Sequence, residues 1–417
     1  MRSILEVMKG NLLVFTMGDV LRQLSMFITF PFFSLYVQAL GGSVVDIGIV
    51  NSLRPVAALF LYPIAGYLSD RYNRVKIIAY TGLIGGTVYL FFILAQDWRW
   101  LALGNLLQGI MTFYFPAANS LMAESLPGDK RALGYSLWQA IPLAVGVFSP
   151  LIGGYIISFL GVEPAMKYLY VLTLLVTVFI AFMNYRFLNE IPRNLPSEES
   201  GLFKTLTRSY RDIIDVLRWL PRNLKAFGAM LVLGFFFNSM VSGYWVIYFV
   251  DGMGLSEVQW GLTLLSASVL NVVLLASTGF LTDRFGPERV LTLALFLVSI
   301  PIMLFPFVDS FYEVIIIFLI ITLSNSFLMS GAPAYMAKAA PREKRGMIMS
   351  AFGQGMLFVN TRGGMGGGPG MGAVLAIPTV IGSILGGVLY SLNPFYLWFF
   401  FGISMLISAV ISRFFLE

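Results

Sequence analysis

Gly66-Tyr-Leu-Ser-Asp70-Arg71-Tyr-Asn-Arg74-Val-Lys76 is a charged turn set between two long apolar runs. A second copy, Gly279-Phe-Leu-Thr-Asp283-Arg284-Phe-Gly-Pro-Glu-Arg289, starts 213 residues after the first. One charged turn between oily stretches is an ordinary loop. The same turn used twice, half a chain apart, indicates a chain built from two copies of one module. The repeat extends outward from it. Leu121-Met-Ala-Glu124-Ser-Leu-Pro127-Gly-Asp-Lys130-Arg131 aligns with Tyr335-Met-Ala-Lys338-Ala-Ala-Pro341-Arg-Glu-Lys344-Arg345 at an offset of 214. Ser149-Pro-Leu-Ile-Gly153-Gly154 aligns with Gly382-Ser-Ile-Leu-Gly386-Gly387, but at an offset of 233. The growth in offset marks an insertion of 19 residues that includes Asn360-Thr-Arg-Gly-Gly-Met-Gly-Gly-Gly-Pro-Gly-Met-Gly372. A glycine run this dense does not hold a stable helix. Either residues 346–359 form an interfacial helix before a shortened span, the arrangement we expect, or the eleventh span is broken inside the protein. Irregular backbone at membrane depth survives only where protein or water covers it.

Composition places both modules in a membrane. Of 417 residues, 58% are hydrophobic and 12% charged, about half the charged share of a soluble domain. The mean hydropathy is +0.82. The apolar runs are long and lack period-2 alternation, which selects helices, because a spanning strand needs only about 9–11 residues. There is no cysteine and no histidine, so disulfides and Cys/His metal sites are excluded. Proton handling near neutral pH then falls to a carboxylate. The first apolar segment follows Arg2 and Lys9 without a small-residue cleavage site and is expected to be a retained span. The net charge of +6 reports topology and does not point to nucleic acid, since the basic residues flank the membrane.

Twelve spans are expected, at roughly 11–39, 46–69, 75–95, 100–125, 133–160, 165–188, 226–250, 256–281, 288–308, 312–337, 374–391 and 394–412. With both termini in the cytoplasm, all Lys and Arg except Arg22, Arg54, Arg99, Lys167 and Arg362 fall on cytoplasmic segments, as the positive-inside rule requires. The predicted protein is an all-α, multi-pass plasma-membrane protein. Its domains are a six-helix bundle over 1–188, a cytoplasmic linker over 189–225, and a second six-helix bundle over 226–417 with the Gly-rich insertion near 360–373. In the linker, basic residues beside Leu, Ile and Trp219 between Lys204 and Lys225 suggest an amphipathic helix on the inner leaflet.

Ionisable residues at membrane depth are costly unless paired or wetted, so each is a functional hypothesis. Asp19 and Arg22 share a face of span 1, with Arg22 roughly 17 Å from its cytoplasmic start. Arg54 lies at a comparable depth in span 2, so one carboxylate between two guanidiniums is expected. Three jobs are open to the cluster: proton coupling through Asp19, binding of an anion by the spare positive charge, or a static ion network. The second half has no charge well within a span, but it offers Asn238, Asn271 and Asn325 with Tyr244, Trp245 and Tyr248.

Two six-span halves, a cytoplasmic hinge and a charged turn after spans 2 and 8 resemble the major facilitator superfamily over nearly the whole chain. That family's hallmark has the pattern G-x-L-x-D-R-x-G-R. Gly66, Leu68, Asp70, Arg71 and Arg74 fit it, with Asn73 in place of glycine. In the second copy Gly279, Leu281, Asp283, Arg284 and Gly286 fit, and Pro287 replaces the basic residue. The resemblance implies twelve helices in two pseudo-symmetric bundles, and a latch on the cytoplasmic side formed by Gly66, Asp70, Arg71 and Arg74 with their counterparts Asp283 and Arg284. Glu124, at the inner end of span 4, is the expected partner of Arg71 or Arg74. The resemblance further implies that spans 1, 4, 7 and 10 line a central cavity, which makes Gln23, Gln108, Tyr114, Asn238, Trp245 and Asn325 its candidate lining. There are departures. Asn105 stands where a family arginine is tied to proton coupling, and Ser149-Pro150-Leu-Ile-Gly153-Gly154 matches the antiporter pattern only in part.

These features together predict a secondary transporter, working by alternating access and as a monomer, that moves a small-molecule substrate with protons. The first expectation is proton-coupled efflux (antiport) of lipophilic or amphipathic compounds. Alternatives are uptake of a small polar or anionic solute held by Arg22 and Arg54, and a non-transporting receptor or scaffold. No nucleotide-binding G-x-x-x-x-G-K-[ST] occurs, no catalytic constellation or metal-ligand set is visible, and neither an enzyme nor a cofactor is expected.

Overall fold

A computed structural model describes residues 7–126, 128, 130–192, 211, 215–341, 344–363 and 371–416. Among these, eleven helices are long and apolar enough to cross a membrane: Gly10–Ala39, Val44–Arg71, Arg74–Ile93, Leu133–Leu160, Val162–Phe187, Arg222–Gly252, the helix beginning at Glu257, Pro287–Phe307, Phe311–Ala339, Ala373–Leu392 and Phe395–Phe415. They coincide with eleven of the twelve expected spans. The remaining one, segment 4, is not a single helix. It runs as α-helix Trp98–Leu107, 3₁₀ turn Gln108–Phe113 and α-helix Tyr114–Ser125. Pro116 explains the change of pitch, because it offers no N–H to the carbonyl of Thr112 and its ring crowds that carbonyl. The segments are numbered 1 to 12 below, in the order of the expected spans.

Matching caps start the matching segments. Ser43 and Asp46 form a capping box at the head of segment 2, and Ser256 and Gln259 form one at the head of segment 8. Each satisfies two backbone donors that lipid could not.

The two halves meet through glycines, and the meeting is two-fold in kind. A Cβ on Gly48 of segment 2 would collide with the carbonyl of Ser383 in segment 11, and one on Gly261 of segment 8 with the carbonyl of Pro150 in segment 5. Gly154 and Gly387 return the contact: the first abuts the Glu257 carbonyl, the second Val44 and Val45. Their neighbours Gly153 and Gly386 pack within their own halves, on Ile28 and Met240. The partial antiporter pattern in segment 5 therefore serves as a packing surface, since small residues let helix backbones touch in a membrane. All these contacts lie at the end of the molecule opposite the two charged turns. At the charged-turn end, a Cβ on Gly66 or Gly279 would meet nothing within 4 Å. Gly66, a member of the expected latch, therefore packs against no other helix in this conformation. The halves are joined at one end and parted at the other.

The stretch before segment 11 departs from the interfacial helix expected over 346–359. A short helix, Arg345–Phe352, ends at Gly353, whose φ of +70° suits glycine, and segment 11 itself is the unbroken helix Ala373–Leu392. Between them residues 353–363 run without helix. They enter the protein along segment 7, with Phe352 against Gly228, Leu357 against Gly234, and Gly363 near the carbonyl of Ser242. Fourteen helical residues separate Gly228 from Ser242, a climb of about 21 Å. Gly372 then lies against Ala351 and Gly353, so the excursion closes where it began. The eleventh span is therefore intact, and the irregular arm that precedes it falls where the repeat offset grows. Residues 364–370 of the glycine run lie outside the described residues, as do 193–210 and 212–214 of the linker and its expected amphipathic helix. The linker's far end is helical at 215–219, with Val216 and Leu220 buried and Lys344 Nζ 3.6 Å from the centre of the Trp219 ring.

Candidate functional site

The charged cluster in the first half is built from three segments. Asp19 and Arg22, one turn apart on segment 1, form an ion pair at 2.7 Å. Trp138 of segment 5 donates its indole N–H to the other Asp19 oxygen, also at 2.7 Å. The Arg22 guanidinium lies 5.1 Å from the centre of the Tyr114 ring of segment 4, a cation–π geometry. Asp19 keeps 14% of its side chain exposed and Arg22 29%, so the pair is within reach of water. Among the described residues Asp19 is the only acid more than two turns from the ends of its segment.

Arg54 does not join this cluster. The sequence places it beside Asp19, but no carboxylate lies within 4 Å of it among the described residues; the Asp19 oxygens meet Arg22 and Trp138 instead. Arg54 lines a separate cleft of about 20 Å³, room for a water or so, with Met26, Phe30, Tyr89, Asn105 and Gln108. Asn105, at the position of the family's arginine, donates to the carbonyl of Val50 at 2.9 Å and ties segment 4 to segment 2.

The expected cavity residues divide. Gln108 lines the Arg54 cleft, Tyr114 supports Arg22, and Gln23 covers Gly146 of segment 5. In the second half the two amides are occupied by the chain itself. Asn325 Oδ1 accepts the N–H of Val359 at 2.8 Å, and Asn238 Oδ1 accepts that of Asn360 at 2.7 Å. Trp245 faces no open space. It is fully buried among Phe305, Phe318 and Trp398, with ring centres 4.8–5.7 Å away.

The charged turns hold neighbouring helices together within their own halves. Arg74 takes Glu124 at 2.6 Å, while Arg71 lies 4.8 Å from the centre of the Tyr67 ring. Asn73 accepts from the Lys76 N–H and caps segment 3, which is what a residue in the family's glycine position can add. Glu190 takes the next donor, Val75 N–H, at 2.9 Å. Asp70, Asp283 and Arg284 are exposed.

This arrangement of paired halves with a charge cluster between helices suits a carrier, and comparison with known proteins decides the family. The sequence model of the Major Facilitator Superfamily matches residues 16–361. The chain belongs to that superfamily. It is a multi-pass, non-enzymatic membrane transporter, as the superfamily's members are. It is 24% identical over 352 residues to "Multidrug resistance protein MdtG" of Salmonella arizonae, covering 82% of this chain and 84% of that one. MdtG of Escherichia coli K12 is 27% identical over 297 residues, 69% of each chain. The fold is also that of a bacterial homologue of the human lysosomal transporter Spinster in its inward-facing, unoccupied conformation, with a TM-score of 0.68 at 17% identity and 97% coverage of both chains.

Sequence reasoning missed Trp138 and the inserted arm's hold on Asn238 and Asn325. Trp138 lies in no recognised motif, and only its position on segment 5 facing segment 1 gives it a role. The arm was legible as an insertion, but not as one that turns inward.

Proposed function

We propose that this superfamily member exports amphipathic compounds across the cytoplasmic membrane in exchange for protons, with the charged turns on the cytoplasmic side. The observation that carries the reading is the Asp19–Arg22–Trp138 cluster. In a chain without histidine, a largely shielded carboxylate at mid-depth, in a cluster built from three helices, is the group suited to carry a proton. Protonation removes the negative charge that holds Arg22 and Trp138, and so loosens segments 1, 4 and 5 from one another. The halves, now parted at the charged-turn end, would then have two arrangements to exchange between. The likeness to multidrug resistance proteins of bacteria supports export and a cytoplasmic-membrane location.

Transport by purified protein in sealed vesicles tests this. A proton gradient opposed to substrate flow should drive accumulation of an amphipathic dye, and a protonophore should abolish it. Accumulation that needs the gradient aligned with substrate flow, or none at all, contradicts antiport.

A further inference from the structure

We propose that Arg362, carried to mid-membrane by the inserted arm, selects the substrate by binding the anionic headgroup of an amphipathic solute. The proposal rests on the export reading above and names the chemistry of its substrate. Three observations lead to it.

The arm is anchored, and its anchoring aims one side chain. Val359 and Asn360 give their backbone N–H groups to Asn325 and Asn238, and Phe358 sets its ring edge-on to Phe235, 5.9 Å between centres. The Asn360 side chain then closes a tight turn, accepting from Arg362 N–H at 3.2 Å and donating to the carbonyl of Gly363 at 3.2 Å. Gly363, with φ +82°, makes that turn possible.

The guanidinium so placed touches both halves. Nη2 donates to Ser268 Oγ of segment 8 at 3.0 Å, and the group lies 5.0 Å from the centre of the Phe27 ring of segment 1. Phe27 stands next to Met26 in the lining of the Arg54 cleft. A ligand held at Arg362 is therefore held between the halves, where its binding senses how they are arranged.

The charge is also uncompensated. A guanidinium has five N–H donors, and among the described residues this one uses a single donor on a neutral hydroxyl. No carboxylate lies within 4 Å of Arg362 or Arg54 among the described residues. Asp19 is already matched by Arg22. Two spare positive charges at membrane depth favour a solute that brings negative charge, because a cation out of water is costly until it is paired. A carboxylate, sulfonate or phosphate would take the free edge of the Arg362 fork. The carbonyl oxygens of Asn238 and Asn325, which could have accepted from a neutral polar solute, are taken by the arm.

The test uses the full chain in proteoliposomes with three fluorescent amphiphiles of one alkyl length: a sulfonate, its neutral alcohol and its quaternary ammonium. Binding and counterflow should favour the sulfonate. Arg362→Gln should weaken the sulfonate about tenfold and leave the alcohol unchanged, with Arg362→Lys between the two. Excision of residues 354–371, whose flanking ends already touch, should remove the sulfonate preference while keeping counterflow of the alcohol. An unchanged sulfonate affinity in Arg362→Gln, or an equal loss for all three probes, overturns the assignment. Wild-type protein that moves the ammonium and not the sulfonate refutes it and leaves the export reading standing. Wild-type protein that moves none of the three defeats both.

Discussion

The two charged turns join the same helices in the two halves with the charges reversed. In the first, the cation Arg74 opens segment 3 and takes the anion Glu124 at the end of segment 4, at 2.6 Å. In the second, the anion Glu288 opens segment 9 and is taken by the cation Lys338 at the end of segment 10, at 2.7 Å. Pro287, which seems in sequence only to delete a basic residue, sits where the pair is rebuilt with opposite sign one residue on. The pairs also differ in depth. Arg74 keeps 6% of its side chain exposed, whereas Lys338 keeps 65%. What the repeat preserves is the bond between neighbouring helices; which residue carries which charge is free to change.

A second contrast lies along the membrane normal, between the glycines at the two ends of segment 2. Gly48 is pressed against segment 11, and Gly66 faces open space. If the molecule alternates, the two should exchange roles. Gly48→Leu should block closure at the far end and trap the molecule open there, while Gly66→Leu should block closure at the charged-turn end. Both should reduce transport by roughly tenfold or more, since each removes one state of the cycle. The chain has no cysteine, so a single introduced thiol at each end reports access without background. The two variants should shift labelling in opposite directions; a shift in the same direction would break the comparison.

Trp138→Phe removes one charge-assisted hydrogen bond from Asp19 and keeps an aromatic ring against Phe15. Gradient-driven transport should fall about tenfold with counterflow preserved, as a bond worth about 1.4 kcal/mol implies. Loss of both activities would mean that the tryptophan only supports the fold. Smaller effects separate the two turns. Arg74→Ala should destabilise the protein by about 2 kcal/mol, because it strips a nearly buried partner from a half-exposed carboxylate. Lys338→Ala should cost less than ~1 kcal/mol. Thermal unfolding in one detergent ranks them, and an equal shift would show that the depth of the pair does not matter.

Much of this architecture was legible because lipid imposes it. The spans follow from run length, and eleven of the twelve appear within a few residues of their expected bounds. The pairing of Glu124 with one of two arginines followed from the family resemblance and from its place at the inner end of segment 4. What composition could not show is where an irregular backbone goes once a helix is forbidden. The glycine run said that residues near 363 are not helical, but the arm's inward course depends on Gly228 and Gly234 leaving room on segment 7. Arg54 was misplaced for a related reason. Depth along a helix was correct, but azimuth was not, and a residue at the same level can face another cleft. Trp245, an aromatic in a cavity-lining span, turned into an aromatic core for the same want of azimuth.

Central to the account is a proton carried by Asp19 in the first half, and Asp19→Asn addresses it most directly. The variant and the wild type are reconstituted side by side and assayed for pH-gradient-driven transport and for substrate counterflow without a gradient. The account predicts that the variant loses the first and keeps the second. Unchanged gradient-driven transport in Asp19→Asn would contradict it.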